Sequence, residues 1–95
     1  MMWHVEGFDA RDDAAWVEAF LRDRFLPYFR GRGFEVRVFA TAMSLGPRQF
    51  WLATAIGSFA DIDGWAARAG DEGAALIGEL LARVERMEGG VVREI

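Results

Sequence analysis

His4 and Glu6 stand two residues apart in "WHVEGF", and His4 is the one histidine of the chain. On an extended segment, residues two apart project from the same side, so a carboxylate would face the imidazole. That pairing suits a general acid or base oriented by its neighbour, because imidazole is the side chain that changes charge near neutral pH. The plainer alternative is a half-exposed histidine on a mixed sheet surface, satisfied by the same carboxylate. Tyr28, the single tyrosine, follows Pro27 in an aromatic segment. Its phenol could enter a pocket between helix and sheet, or simply pack in the core with one satisfied hydroxyl. These three are the candidate catalytic residues.

Candidate substrate-binding residues are Arg37, Trp51 and Trp65. Arg37 shares a strand face with Glu35, and Arg93 lies on the last strand. A guanidinium matches a substrate carboxylate through two parallel hydrogen bonds, although a cross-strand ion pair or a subunit contact explains the same spacing. Trp51 and Trp65 have the bulk to wall an apolar pocket, and packing alone also accounts for them.

Other chemistries are excluded by what is missing. The chain has no Cys, no Lys and no Asn. It therefore has no thiol nucleophile or disulfide, no Schiff-base or phosphate-loop lysine, and with one histidine no intrachain multi-histidine metal site. No cofactor is expected. A net charge of −4 argues against nucleic acid or an anionic membrane as partner. No apolar run approaches a membrane span and no signal-peptide pattern opens the chain, so a cytoplasmic protein is expected. "DIDG" at 61–64 resembles the start of a calcium loop, but Trp65 falls where a ligand is needed and Ala66 where the turn needs Gly.

The elements that must position these residues follow from periodicity. Residues 1–8 read as a strand. Asp9 suits a helix N-cap, and from Ala10 the positions Trp16, Val17, Phe20, Leu21, Phe25 and Tyr28 recur at helical spacing. Pro27 predicts a kink or an end, and Gly31 and Gly33 close the segment. "FEVRVFATAM" (34–43) alternates as a strand, Gly46 and Pro47 mark a turn, and the nearly uncharged "QFWLATAIG" (49–57) reads as a central strand. Ser58 caps a helix ended by Gly70, and Asp71 caps another whose apolar stripe runs from Leu76 to Met87. Gly89 and Gly90 then break to a last strand, "VVREI".

The order strand, helix, strand, strand, interrupted helix, strand is that of a single α+β domain over residues 1–95: a ferredoxin-like βαββαβ antiparallel sheet with helices on one face. Both faces of the 49–57 strand are apolar, so the uncovered face predicts self-association, as does a hydrophobic content of 53% in a domain this small.

With these residues in view, the chain resembles the dimeric α+β-barrel superfamily, in particular its NIPSNAP-like and antibiotic-biosynthesis monooxygenase-like members. The resemblance rests on "WHVEGF", on "FLPYFRGRGFEVRVF", and on "RQFWLATAIGSFADIDGWAAR". It implies two subunits packed sheet to sheet, and an activity drawn from cofactor-independent oxygenases, haem-degrading oxygenases, isomerases or ligand sensors. Oxygenases of this group often use an Asn with a Trp, sometimes with a helical His; here there is no Asn, and the one His falls on a predicted strand. Their catalytic residues thus do not carry over position by position. The functional expectation is a homodimer binding a small apolar or aromatic molecule, as an oxygenase- or isomerase-type enzyme; the alternative is a non-enzymatic sensor or assembly module whose open face serves only dimerisation.

Overall fold

Two eight-residue strands form the centre of the sheet, and each sorts its residues by side. β1 (Met2–Asp9) directs His4, Glu6 and Phe8 one way and Trp3, Val5 and Gly7 the other. β3 (Gln49–Ile56) does the same with Phe50, Leu52, Thr54 and Ile56 against Trp51, Ala53 and Ala55. They pair antiparallel, with His4 opposite Thr54 and Gly7 opposite Trp51. β2 (Val36–Ala40) joins β3 and β4 (Glu85–Arg93) joins β1, giving the order β2-β3-β1-β4. This is the ferredoxin-like arrangement, with the uncharged β3 in the interior as expected. The computed structural model describes residues 1–42 and 48–95; the turn expected at Gly46 and Pro47, together with Met43 and Ser44, lies outside them.

Between β1 and β2 the chain is helical from α1 (Ala14–Phe20) through a π-helical turn (Leu21–Phe25) into α2 (Leu26–Gly31). One expectation is corrected here. Asp9 does not cap the helix: it ends β1, and its Oδ1 accepts the backbone N–H of Arg11 at 2.7 Å, holding a short turn before the helix begins at Ala14. Of the kink or end expected at Pro27, the end does not occur, and the irregularity is a π-helical turn just before it. The missing N–H of Pro27 and its ring are accommodated by the wide turn before it, where Leu26 N–H donates to the carbonyl of Leu21, five residues back.

After β3, α3 (Ala60–Asp63) forms without Ser58 as its side-chain cap. Asp61 instead holds the turn that leads into it, its Oδ2 accepting the N–H groups of Gly57 (2.7 Å) and Ser58 (3.2 Å). Those bonds hold the Asp61 carboxyl below the usual carboxylate range. α4 (Trp65–Leu81) is broken at Gly70, as the sequence implies, by φ 73° and ψ −179°. The break orphans two carbonyls, and side chains of the first helical segment take both: Tyr28 Oη donates to Ala69 O at 2.6 Å, while Arg32 Nη2 and Nε donate to Arg68 O at 2.7 and 3.1 Å. Only glycine fits at Gly70, since a Cβ there would also sit 3.2 Å from Arg32 Nη2. The helix then ends at Leu81, not Met87; residues 85–93 are strand, and Gly89 and Gly90 lie within it opposite Glu6 and Val5.

The core gathers Phe8, Val36 and Phe50 from the sheet, Val17, Phe20, Leu21, Phe25 and Phe29 from the first helical segment, and Ala69, Leu76 and Leu80 from α4. Phe29 is wholly buried, and its ring lies 4.5 Å from Phe25, 5.1 Å from Tyr28, 5.5 Å from Phe34 and 5.4 Å from Trp65, centroid to centroid.

Urea denaturation of Phe29→Ala should show a loss of about 3–5 kcal/mol, the range for a buried aromatic truncated in a close-packed core. Gly70→Ala should cost about 1–3 kcal/mol from backbone strain, and Tyr28→Phe about 1 kcal/mol. Because the two act on one joint, the double variant should lose less than their sum. The folded-state titration of Asp61 lies below that of the unfolded chain. Its stabilisation is therefore full above the unfolded value and is lost as pH falls through the folded one. Asp61→Asn should make the acid-side fall in stability shallower, read as urea midpoints between about pH 5 and pH 2.

Candidate functional site

Alternation along β1 and β3 turns His4, Glu6, Leu52, Thr54 and Ile56 toward the helices, and there they line a cavity of about 230 Å³. Phe8 and Val36 complete its sheet side. Ile62 of α3 and Trp65, Ile77, Leu80 and Leu81 of α4 form the opposite wall, closed at depth by Phe25 and Phe29. An apolar cavity of about 150 Å³ holds a benzene ring, so this one has room for a single ring bearing a substituent. Trp65 is fixed in the wall by stacking on Phe29 at an interplanar angle of 16°.

The polar groups on the cavity are four: His4, Glu6, Thr54 and Arg86. His4 Nε2 lies 3.7 Å from Glu6 Oε1, so the two face each other as the spacing requires without a direct hydrogen bond. Glu6 Oε1 accepts instead from Arg86 Nη2 of β4. Thr54 is buried on the cavity floor beside His4, its cross-strand neighbour. His4 and Arg86, with Ile62, also border a shallower groove that follows β4 over Met87–Val91, so they stand where the cavity opens outward.

The expected site residues divide into three groups. His4, Glu6 and Trp65 meet in the cavity. Tyr28 is not among its lining residues; its hydroxyl is committed to Ala69, in the helix joint described above. Arg37 and Trp51 project from the opposite face of the sheet, so a single polar and aromatic wall of His4, Glu6, Tyr28, Arg37 and Trp51, as the sequence suggests, does not form. The reason is parity: on β1 and β3 the even-numbered residues face the helices, whereas Arg37 and Trp51 belong to the other set. Trp51 packs over Gly7, where a Cβ would lie 3.0 Å from the indole, so any larger residue there must displace the ring. Arg37 lies over the ring of Trp3 at 5.2 Å and 3.7 Å from Glu35, the surface pairing weighed as an alternative. Phe39 and Val92, each about half exposed, extend this face.

Arg86 and Thr54 are the site residues that sequence reasoning missed. Thr54 was legible as an inward residue of β3, and only its place opposite His4 gives it a role. Arg86 was hidden because its segment reads as helix. Among the described residues, no cluster of His, Asp and Glu could hold a metal ion, and no helix is long and apolar enough to cross a membrane.

No family model and no curated protein matches the chain. Solved structures do. Protein Atu4242 from Agrobacterium tumefaciens superposes with a TM-score of 0.77 at 12% identity, covering 100% of this chain and 94% of that one. A NIPSNAP family protein from the same organism, Atu5224, gives 0.74 at 13% identity, with coverage of 100% and 94%. A structure described as an antibiotic biosynthesis monooxygenase gives 0.66 at 17% identity, with coverage of 97% and 94%. Across essentially its whole length, then, this chain has the ferredoxin-like α+β fold of the NIPSNAP-type and antibiotic biosynthesis monooxygenase-type structures.

Proposed function

We propose that the protein binds a small apolar or aromatic molecule in the cavity between sheet and helices, as a homodimer assembled through the opposite sheet face. The observation that carries the reading is the composition of the cavity: hydrocarbon and aromatic walls with His4, Glu6, Thr54 and Arg86 gathered on the sheet side. Ligand sites have this form, an apolar enclosure with a few convergent polar groups that set orientation. His4 is the group that would exchange a proton with a bound molecule, which supports an isomerase- or oxygenase-type reaction; HapK from Hahella chejuensis and the antibiotic biosynthesis monooxygenase share the fold. Fold is shared by many chemistries, so the reaction class rests on the site.

The dimer rests on a separate observation. Trp3, Trp51, Phe39 and Val92 lie on the face away from the helices, and Phe39 and Val92 remain 55% and 51% exposed in the single chain. Exposed aromatic and aliphatic side chains gathered on one sheet face are a mark of a protein interface. It also favours the second reading, a module that uses the face for assembly alone.

A thermal-shift screen against single-ring aromatics should raise the melting temperature in proportion to the logarithm of ligand concentration above Kd. His4→Ala should keep the fold and weaken that shift; absence of any shift in the wild type would leave the assembly reading. Sedimentation should give a dimer, and Phe39→Arg should give a folded monomer. A wild-type monomer at micromolar concentration would refute the assembly claim.

A further inference from the structure

β4 is not a regular strand. Its register with β1 shifts between Gly7 and Phe8: Glu88 lies opposite Gly7, but Arg86 lies opposite Phe8, so Met87 is the extra residue of a β-bulge. The shift reverses the side on which Arg86 falls. Counting back from Val91 opposite His4 and Gly89 opposite Glu6, strict alternation would send residue 87 toward the cavity and Arg86 to the outer face. The bulge turns Arg86 inward instead, onto the cavity and against Glu6. A bulge beside a cavity that re-aims one charged side chain is a device for placing that side chain.

We propose that Arg86 is a specificity-determining residue and that the ligand of the cavity is a single-ring carboxylic acid, its ring among the apolar walls and its carboxylate at the mouth on Arg86 and His4. This rests on the reading of the cavity as a ligand site. Three facts carry it. Glu6 takes one hydrogen bond from Nη2, which leaves the other N–H groups of a five-donor guanidinium available to a second planar oxyanion. Arg86 also borders both the cavity and the outer groove, so its free edge lies at the entrance rather than at depth. Finally, the volume of about 230 Å³ accommodates an apolar part of one substituted ring. The Glu6 carboxylate, already paired, is the support that orients Arg86, and His4 on the next position of the same face supplies a further donor.

The test compares 3-phenylpropanoate and benzoate with their amides by calorimetry and thermal shift, on wild type, Arg86→Met and Arg86→Lys. The acids should bind at least about tenfold tighter than the amides, as expected for a charge-assisted bidentate contact against a neutral one. Arg86→Met should abolish that preference while the amides bind unchanged, and Arg86→Lys should restore part of it. If acids and amides bind the wild type equally, the inference fails while the cavity reading stands. If neither binds, both fail. Should Arg86→Met not fold, Arg86→Gln, which keeps a polar side chain at the mouth without the charge, must still remove the acid preference; an unchanged preference would overturn the assignment.

Discussion

The stack of Trp65 on Phe29 is the contact on which the rest of the structure depends. It joins the first helical segment to the start of α4 and, through Phe34, to the sheet edge that leads into β2. Trp65 forms part of the cavity's helical wall, and Phe29 lines it from the core. Rings of this size fill space only along their planes, so where they meet a sheet floor of Thr54, Leu52 and Val36 a void is left. The cavity is thus a packing consequence of aromatic layers over medium-sized strand residues, and its enclosure weakens if the stack shifts.

Just after that stack α4 breaks at Gly70, and the exposed carbonyls of Arg68 and Ala69 are satisfied by Arg32 and Tyr28, one turn apart on the first segment. Tyr28 thus serves the site from outside, by fixing the helix that carries Trp65. Arg68 adds a further tie, lying 4.4 Å over the ring of Phe34.

Much of this was legible in the residues. Alternation at Phe34, Glu35, Val36 and Arg37, the uncharged run at Gln49–Ile56 and glycine at position 70 dictate local structure through short-range sterics and burial, and the element order follows. What stayed hidden depends on partners distant in sequence. The last strand reads as helix through Met87 because Val84 and Met87 continue a helical stripe, yet residues 85–93 pair along the whole free edge of β1; that ladder overrides local propensity and draws Gly89 and Gly90 into the strand. The bulge at Met87 has no sequence signature at all, and with it Arg86 was lost. Placing Arg37 and Trp51 with His4 failed for a simpler reason: proximity between strands does not imply a shared face.

That division of faces has a functional logic. β1 and β3 carry His4, Glu6 and Thr54 of the cavity on their even positions and Trp3 and Trp51 on their odd ones, separated by one backbone layer. Any partner that covered Trp3 and Trp51 would press on Gly7 and Ala53, which have little or no side chain to yield, so the load would pass to the strands themselves. The strands that hold His4, Glu6 and Thr54 in register would then be stiffened from behind. The cavity and the opposite sheet face are thus distinct surfaces that share the backbone layer of β1 and β3 as a common wall.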